Sequence, residues 1–295
     1  MTREGKGQLK HYVDLREALV SFLREDIGIG DITTDAIINR KTFSSSTIIS
    51  KDPRRLVVAG LEEVRMVFEV CKCSSTELVS DGATVSQGDE ILKIKGKAID
   101  ILKAERTSLN LLMRMTGIAT ETRRYVDVVR KFSKDIRIGA TRKTAPGLRY
   151  FDKKAVIIGG GISHRSSLDD MVLIKDNHIL LTGSIKESIL NAKRKVGKNI
   201  KIECEVTDLN SAIEAMRSGV DILMLDNFTP SETNRVIKRL ERLGLREKCL
   251  IEVSGGVNLT NVADFARARP DVISIGSITH SPTAANFSLE IDERI

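Results

Sequence analysis

The spacing of hydrophobic residues changes along the chain and predicts different elements in its two halves. Apolar positions recur at helical spacing over residues 15–25, which predicts a helix that is broken by the segment 26–31. Over residues 77–96, short β-type runs alternate with turns at Gly82 and Gly88. The first hundred or so residues therefore read as mixed structure that includes small antiparallel strands.

A long amphipathic pattern over residues 102–132 predicts a helix that links two domains and is interrupted near Gly117. Beyond it, short β-rich runs recur with helical patterns between them. They are residues 136–138, 172–174, 200–206, 222–225, 250–253 and 272–275. Such alternation is typical of parallel strands joined by crossover helices.

Polar residues follow nearly all of these strands, and their placement helps to choose between two possible folds. An open doubly wound sheet spreads its strand ends along an edge, whereas an α/β barrel brings them to one rim. We therefore expect a barrel with the candidate site at its rim.

The composition disfavours some classes of function but does not identify one. Lys and Arg (47) exceed Asp and Glu (40), and the pI near 9.2 favours an anionic partner. Aromatic residues are only 4% with no Trp, so a stacking platform for nucleic acid is not expected. The four cysteines lack CxxC spacing, and the chain has neither a signal-type apolar core nor a run of about 18 apolar residues. We expect a cytoplasmic protein that binds neither nucleic acid nor membrane, with a small charged substrate.

A basic group is the strongest chemical feature. Arg142 and Lys175 each follow an apolar strand, where a side chain points into the mouth of the pocket, and Lys143, His164 and Arg165 lie between them in the sequence. Arginine binds carboxylates in a bidentate fashion and lysine provides a point charge, so several anionic substituents are implied. We favour His164 as a hydrogen-bond donor to an anion over a general base. No Ser/His/Asp or Cys/His nucleophile set is evident.

Two carboxylates end neighbouring predicted strands. Glu205 and Asp226 would face one another across a barrel rim, where hard oxygen ligands suit Mg²⁺ bound to substrate phosphates. The alternative is that one or both only pair with a nearby Lys or Arg. Spacing alone does not exclude Glu203 from the same role.

Glycines mark the last two predicted strand ends. Backbone amides exposed there are suited to cradling a phosphate, although each glycine alone is more often a tight turn. The residues are Ser254, Gly255, Gly256, Ile275, Gly276 and Ser277.

Taken together, these motifs resemble those of the quinolinate phosphoribosyltransferase family, in order and spacing over nearly the whole chain. The matching segments are residues 25–34, 104–110, 141–147, 159–161 with 164–165, 173–178, 203–206, 225–227, 254–256, 274–276 and 279–281. The sequence departs from the family at Ala140, where many members carry Asp, and at the pair Ile162 and Ser163.

The resemblance implies an α/β fold, an N-terminal α/β sandwich domain followed by an incomplete TIM-like barrel. We expect the sandwich over residues 1–116, completed by 282–295, and the barrel over 117–281. It also implies a homodimer or a dimer-based hexamer, in which Arg106 reaches the site of the neighbouring subunit.

The reaction implied is transfer of phosphoribosyl from phosphoribosyl pyrophosphate to quinolinate, with Mg²⁺ required. Decarboxylation then yields nicotinate mononucleotide, pyrophosphate and CO₂ in NAD biosynthesis. Lys143, Glu205 and Asp226 would be catalytic, and Glu205 and Asp226 would position the metal. The substrate-binding residues would be Arg106, Thr141, Arg142, Lys143, His164, Arg165, Lys175, Ser254, Gly255, Gly256, Ile275, Gly276 and Ser277.

Two other functions remain open at this point. The first is a phosphoribosyltransferase for another acceptor such as nicotinate, which would leave one arginine of the pocket without a carboxylate. The second is a non-catalytic barrel that binds anions or RNA, for which tight, strongly salt-dependent RNA binding would be the evidence.

Overall fold

The computed structural model describes residues 14–197 and 199–294. These residues form two compact units. The N-terminal unit is drawn from residues 1–123, 146–159 and 281–295, and the C-terminal unit from 124–145 and 160–280. Residues 1–13 of the expected sandwich domain lie outside the described part of the chain.

The first half of the chain contains short helices and strands before one long helix. In chain order these are α1 (Leu15–Ile27), α2 (Ile32–Ile37), β1 (Phe43–Ser50), β2 (Leu56–Val57), α3 (Leu61–Val70), β3 (Ser74–Glu77), β4 (Thr84–Val85), β5 (Glu90–Lys97) and α4 (Ala98–Val129).

The second half alternates strands and helices until a final strand. Its elements are β6 (Arg137–Gly139), α5 (Arg149–Ile158), β7 (Val172–Ile174), α6 (Asp176–Thr182), α7 (Ile185–Lys195), β8 (Ile202–Val206), α8 (Leu209–Ser218), β9 (Ile222–Asp226), α9 (Pro230–Arg242), a 3₁₀ turn (Arg246–Lys248), β10 (Leu250–Ser254), α10 (Val262–Arg267), β11 (Val272–Ser274), α11 (Ser277–His280) and β12 (Phe287–Arg294).

The N-terminal unit contains a four-stranded antiparallel sheet in the order β12-β1-β5-β3. Strand β5 alternates buried and exposed residues, with Leu92 and Ile94 buried and Lys93 and Lys95 exposed, because one face of the sheet meets the core. The last strand of the chain, β12, thus pairs with β1 from the first half. The predicted antiparallel strands are confirmed.

The predicted interruption of the long helix at Gly117 is wrong, because α4 runs without a break through that residue. A Cβ atom at Gly117 would lie 2.2 Å from the carbonyl oxygen of Thr283 and 3.1 Å from Cα of Ala284. Glycine is required there for the close approach of another backbone segment and does not mark a bend. A glycine in a helical pattern has either meaning, and the sequence did not distinguish them.

Helix α5 belongs to the N-terminal unit, although the sequence placed residues 146–159 within the barrel segment. The rings of Phe151 and Phe22 lie 5.6 Å apart between centroids, and Lys154 pairs with Glu63. Arg114 also donates two hydrogen bonds to Asp152. These contacts are long-range in sequence, so no local pattern revealed them.

The C-terminal unit is built on a six-stranded parallel sheet in the order β6-β11-β10-β9-β8-β7. All six strands were predicted, and Val172–Ile174 matches to the residue. Among the described residues, β6 and β7 are not paired, so the barrel-like sheet is incomplete. The predicted fold class is therefore confirmed.

The segment that carries His164 runs beside the end of β6. Gly139 and Ile162 form a parallel bridge, in which the Ala140 N–H donates to the Ile162 carbonyl at 3.0 Å and the Ile162 N–H to the Ile138 carbonyl at 2.8 Å. His164 follows with φ of 50°, a left-handed conformation that costs energy for a non-glycine residue. The short bridge fixes His164 at the carboxyl end of the sheet.

In the described part of the chain, helices with the length and apolar character needed for a membrane span are absent.

Candidate active site

A cavity of about 590 Å³ opens at the carboxyl ends of the parallel strands in the C-terminal unit. Parallel α/β sheets place their strand ends and following loops together at this edge. The structure brings to this cavity all the predicted site residues except Arg106. They are Thr141, Arg142, Lys143, His164, Arg165, Lys175, Glu205, Asp226, Ser254, Gly255, Gly256, Ile275, Gly276 and Ser277.

The loop after β6 is held by a hydrogen bond within it and by a second one from α11. The Lys143 N–H donates to Thr141 Oγ1 at 3.1 Å, and Thr279 Oγ1 donates to the Lys143 carbonyl at 2.9 Å. A Cβ at Gly276 would lie 3.2 Å from Cδ of Lys143. Glycine at this position therefore leaves room for the lysine side chain to cross toward the cavity.

Two half-buried arginines concentrate positive charge in the cavity. Burial and the neighbouring Arg142 lower the pKa of Arg165 from its usual value, since both disfavour the charged form. Nε of Arg142 is fully buried and makes no hydrogen bond to any residue of the described chain. A buried donor without an acceptor costs energy, so this arrangement favours a bound anion.

Lys175 and Glu205 form a close ion pair across β7 and β8, with 2.5 Å between Nζ and Oε2. The backbone N–H of Lys175 donates to Nδ1 of His178 at 3.0 Å, which fixes the start of α6 and the position of the lysine. His178 thus orients the site through the backbone and does not line the cavity.

Asp226 ends β9 beside this pair. Burial raises the pKa of Asp226, the negative charge of Glu205 raises it further, and Lys175 and Lys143 oppose the shift. A cation bound beside Asp226 would oppose this shift and stabilise the charged carboxylate.

The turn after β10 has two glycines with left-handed backbone, φ of 89° at Gly255 and 65° at Gly256. A Cβ at Gly255 would lie 2.2 Å from Oδ1 of Asn227, so a larger residue would collide with the end of β9. A Cβ at Gly256 would meet no atom within 4 Å. The backbone at Gly256 is therefore open to a ligand.

His164 lies against two buried carboxylates, Glu203 of β8 and Glu252 of β10. Its Nε2 atom is 3.0 Å from Oε2 of Glu252 and 3.4 Å from Oε2 of Glu203. Burial lowers the pKa of His164, but hydrogen bonds to the two carboxylates outweigh burial and raise it to about 10. The ring is therefore a cation at neutral pH.

Models of two domains match nearly the whole chain. The quinolinate phosphoribosyl transferase N-terminal domain matches residues 31–116, and the C-terminal domain matches residues 118–290. The chain belongs to the quinolinate phosphoribosyl transferase family. The family predicted from the sequence motifs is confirmed.

Relatives and solved structures with the same architecture cover this chain almost end to end. The probable nicotinate-nucleotide pyrophosphorylase [carboxylating] of Methanothermobacter thermautotrophicus is 41% identical, covering 94% of this chain and 99% of its own. The nicotinate-nucleotide pyrophosphorylase [carboxylating] of Homo sapiens is 30% identical over 99% and 96%. The structure of NadC from Streptococcus pyogenes aligns with a TM-score of 0.87, at 33% identity over 95% and 97%.

Several residues that line the cavity were not predicted as site residues. They are Ala140, Leu173, Met224, Asn227, Glu252, Val257, Ser274 and His280. For Glu252 there was a signal, because a carboxylate interrupts the apolar run of β10 two residues before Ser254 and so points to the same side of the strand. Glu203 has the same relation to Glu205 on β8.

Arg106 is exposed on α4 in the N-terminal unit and is not among the residues that line the cavity. Its predicted role in substrate binding stays a prediction, since the family resemblance places it in the site of a second chain.

Proposed function

We propose that this protein transfers phosphoribosyl from phosphoribosyl pyrophosphate to quinolinate, forming nicotinate mononucleotide, pyrophosphate and CO₂ in NAD biosynthesis. The observation that carries the proposal is one cavity in which the Arg142 and Arg165 guanidinium groups share space with the carboxylates of Glu205 and Asp226. Such a cavity suits a substrate with several negative groups at one side and a cationic reacting centre at the other. Membership in the family supports the same reaction.

In this proposal the basic residues bind quinolinate. Arg142 and Arg165 each offer a planar fork that matches a carboxylate, and the buried Nε of Arg142 would gain an acceptor. His164 adds a charged donor, and Lys175 adds a point charge held by Glu205. Quinolinate has two carboxylates, so binding it uses more of these groups than a monocarboxylate would.

Phosphoribosyl pyrophosphate would lie along the glycine-bearing strand ends. The open backbone at Gly256 and the amides around Gly255, Gly276 and Ser277 would receive the 5′-phosphate, with Ser254 and Ile275 forming the adjoining wall. Lys143 and Thr141 would contact the pyrophosphate from the neighbouring loop.

The chemistry needs no nucleophile from the protein. The quinolinate nitrogen forms a bond to the anomeric carbon of ribose while the bond from that carbon to pyrophosphate oxygen breaks. Glu205 and Asp226 would stabilise positive charge on the ribose, and Lys143 would stabilise the departing pyrophosphate. CO₂ then leaves the carbon beside the ring nitrogen, whose positive charge stabilises the electron pair until solvent supplies a proton.

We propose that Glu205 and Asp226 hold Mg²⁺, and the donor chemistry fits. Both are carboxylates at the ends of adjacent strands in one cavity, and burial followed by the negative charge of Glu205 raises the pKa of Asp226. Mg²⁺ prefers oxygen ligands and keeps waters while it contacts substrate phosphates. The ion would supply positive charge to the pyrophosphate group.

We also propose a homodimer, or a dimer-based hexamer, in which Arg106 completes the site of the neighbouring subunit. The exposed position of Arg106 on α4 leaves it available to a second chain. All four cysteines are unpaired thiols, which supports the proposed cytoplasmic, reducing location.

The direct test is turnover of quinolinate, phosphoribosyl pyrophosphate and Mg²⁺, with CO₂ release measured alongside nicotinate mononucleotide. We expect equal amounts of the two products from the wild-type protein. Arg142→Ala should reduce kcat/KM for quinolinate by about 100-fold or more, because a charged, desolvated contact to the substrate is lost.

Lys201→Ala is the matched control, since it removes an exposed cation just before β8, at the end of the sheet opposite the cavity. Its activity should equal that of the wild-type protein. Full turnover by Arg142→Ala, or mononucleotide formation from nicotinate without any from quinolinate, would overturn the proposal.

A further inference from the structure

The group formed by His164, Glu203 and Glu252 lies partly beneath the cavity floor. The side chains of Glu203 and Glu252 are 0% and 1% exposed, and that of His164 is 10% exposed. Glu203 and Glu252 belong to strands β8 and β10, which flank β9, and each lies two residues before a cavity residue of its own strand. Both carboxylates therefore point into the interior of the barrel-like sheet.

Burying two carboxylates together is costly unless a cation compensates them. Oε1 of Glu203 and Oε1 of Glu252 have no hydrogen-bond partner among the described residues, whereas the Oε2 atom of each faces His164. The imidazole of His164 contacts both side chains through one atom, Nε2. The ring is thus the cation that this pair of carboxylates shares.

A hydrogen bond at Nε2 determines what the other ring nitrogen can do. A protonated imidazole donates from both nitrogens, so an Nε2–H directed at Glu252 leaves the Nδ1–H as a second donor. His164 lines the cavity beside Arg165 and Arg142, so this donor would be available to an anion bound there. The bridge between Gly139 and Ile162 holds the backbone before His164, and the two carboxylates contact its ring at Nε2.

We propose that Glu252 and Glu203 are positioning residues that hold His164 as an imidazolium with Nδ1–H presented to a substrate carboxylate. The identity of the substrate carboxylate rests on the proposed reaction. The pairing of His164 with the two glutamates is present in the protein without substrate. Glu252 and Glu203 act through His164, since they have almost no exposed surface.

The charge of His164 depends on the groups that face it. These are Glu203 and Glu252 from the sheet, with Arg165 adjacent in the chain and Arg142 nearby. With both carboxylates present the pKa of His164 is about 10, so its charge persists through the physiological range and is lost only above that value. Replacing one carboxylate by an amide of the same shape lowers the pKa and leaves a hydrogen-bond acceptor in place.

The first experiment is a pH titration of ¹³C-labelled histidines by NMR, in the free full-length protein, which has four histidines. His164, assigned by its loss in His164→Asn, should show no titration between pH 6 and pH 9. In Glu252→Gln its midpoint should fall inside that window. A wild-type midpoint near 6.5 would overturn the proposal, whatever the activity.

The second experiment compares KM for quinolinate at pH 6 and pH 8.5. Glu252→Gln should raise KM by about tenfold at pH 8.5, where the ring has lost its charge, and by less than about twofold at pH 6, where the ring is protonated again. Recovery at low pH separates positioning from a merely structural role. An equal loss at both pH values would contradict the proposal.

Glu203→Gln provides a second test if Glu252→Gln does not fold, and it should show the same pH-dependent KM. Glu241→Gln, an exposed residue of α9, is the control and should behave as wild type. The three side chains also have spacing that would suit a metal ion, so metal content is measured. If the purified wild-type protein contained one equivalent of a transition metal and Glu252→Gln lost it, the proposal that His164 is an imidazolium would be overturned.

An inactive wild-type protein would refute the reaction and leave the NMR titration to decide the pairing. A quinolinate-active protein whose His164 titrates normally would refute the pairing alone. The experiments therefore distinguish failure of the proposed reaction from failure of the proposed pairing of His164.

Discussion

Each unit of the molecule places a largely buried cation beside two carboxylates, both buried in the C-terminal unit and one buried in the N-terminal unit, and the cations differ in kind. In the N-terminal unit Nζ of Lys154 lies 2.5 Å from Glu62 and 2.6 Å from Glu63. In the C-terminal unit Nε2 of His164 lies 3.0 Å from Glu252 and 3.4 Å from Glu203. Burial opposes the charge of Lys154, but Glu63 and Glu62 outweigh burial and raise the pKa of Lys154.

The two cations differ in whether they keep a hydrogen-bond donor for another partner. The Lys154 ammonium donates hydrogen bonds to the two glutamates near the start of α3, and it links α5 to that helix. An imidazolium bonded through one nitrogen retains a donor on the other side of a rigid ring. The same electrostatic arrangement therefore stabilises the fold in one unit and serves a cavity in the other.

Removing the lysine should have the largest effect on stability. Lys154→Met leaves Glu63, which is 0% exposed, without its cation, and this should lower the free energy of unfolding by about 3–5 kcal/mol. Burial already raises the pKa of Glu63, so the unpaired carboxyl group would take up a proton. Urea unfolding measures the loss.

Lys131→Met, an exposed lysine, is the control for this change and should unfold like the wild-type protein. Adding Glu63→Gln to Lys154→Met should recover part of the lost stability, because a buried amide does not have to take up a proton on folding at neutral pH. A Lys154→Met protein as stable as wild type would show that the pair does not stabilise the unit.

Removing a carboxylate from the cavity should affect catalysis more than folding. Glu205→Gln breaks the 2.5 Å pair with Lys175 and reduces the negative charge beside Asp226. We expect kcat to fall by about 10–100-fold and the Mg²⁺ requirement to shift to higher concentration. Steady-state rates across a Mg²⁺ series test this, with Glu241→Gln as the control.

Unchanged kcat and Mg²⁺ dependence in Glu205→Gln would mean that Glu205 only pairs with Lys175. That was the other interpretation of this carboxylate in the sequence, and the ion pair in the structure is compatible with both.

The sequence predicted the parallel sheet well because each strand is a short apolar run followed by polar residues. It also placed most of the cavity, since strand ends of such a sheet share one edge. It did not reveal Glu203 and Glu252 as partners of His164. Period-2 alternation gives the face of a strand, but whether a carboxylate on that face meets solvent, lysine or histidine depends on other strands.

The outcomes at Gly117 and in residues 146–159 have a similar origin. A glycine in a helical pattern predicts a break unless a distant backbone segment, here at Thr283, requires the space. Helix α5 follows β6 in sequence as a crossover helix would, yet its buried residues pair with α1, α3 and α4 of the N-terminal unit. Contacts between distant segments determined both outcomes.

The smallest expected effect concerns an ion pair that is neither fully buried nor in the cavity. Asp52 accepts hydrogen bonds from Nε and Nη2 of Arg54 and from the N–H of Asn286, just before β12. The hydrogen bond from Arg54, together with the backbone donors, lowers the pKa of Asp52 to about 2. A carboxylate whose pKa is depressed in the folded state contributes stability above its ordinary pKa and loses it as pH falls.

This contribution should therefore be complete above about pH 4 and disappear toward pH 2, amounting to about 1–2 kcal/mol because Arg54 is 43% exposed and screened by solvent. Urea unfolding of wild type and Asp52→Asn at a series of pH values measures it. The two proteins should differ most at neutral pH and converge near pH 2, whereas a constant difference would assign the effect to packing. The His164 ring loses its charge at alkaline pH, whereas the pair between Asp52 and Arg54 is lost only at acidic pH. Measurements at different pH values therefore distinguish the contributions of the two groups.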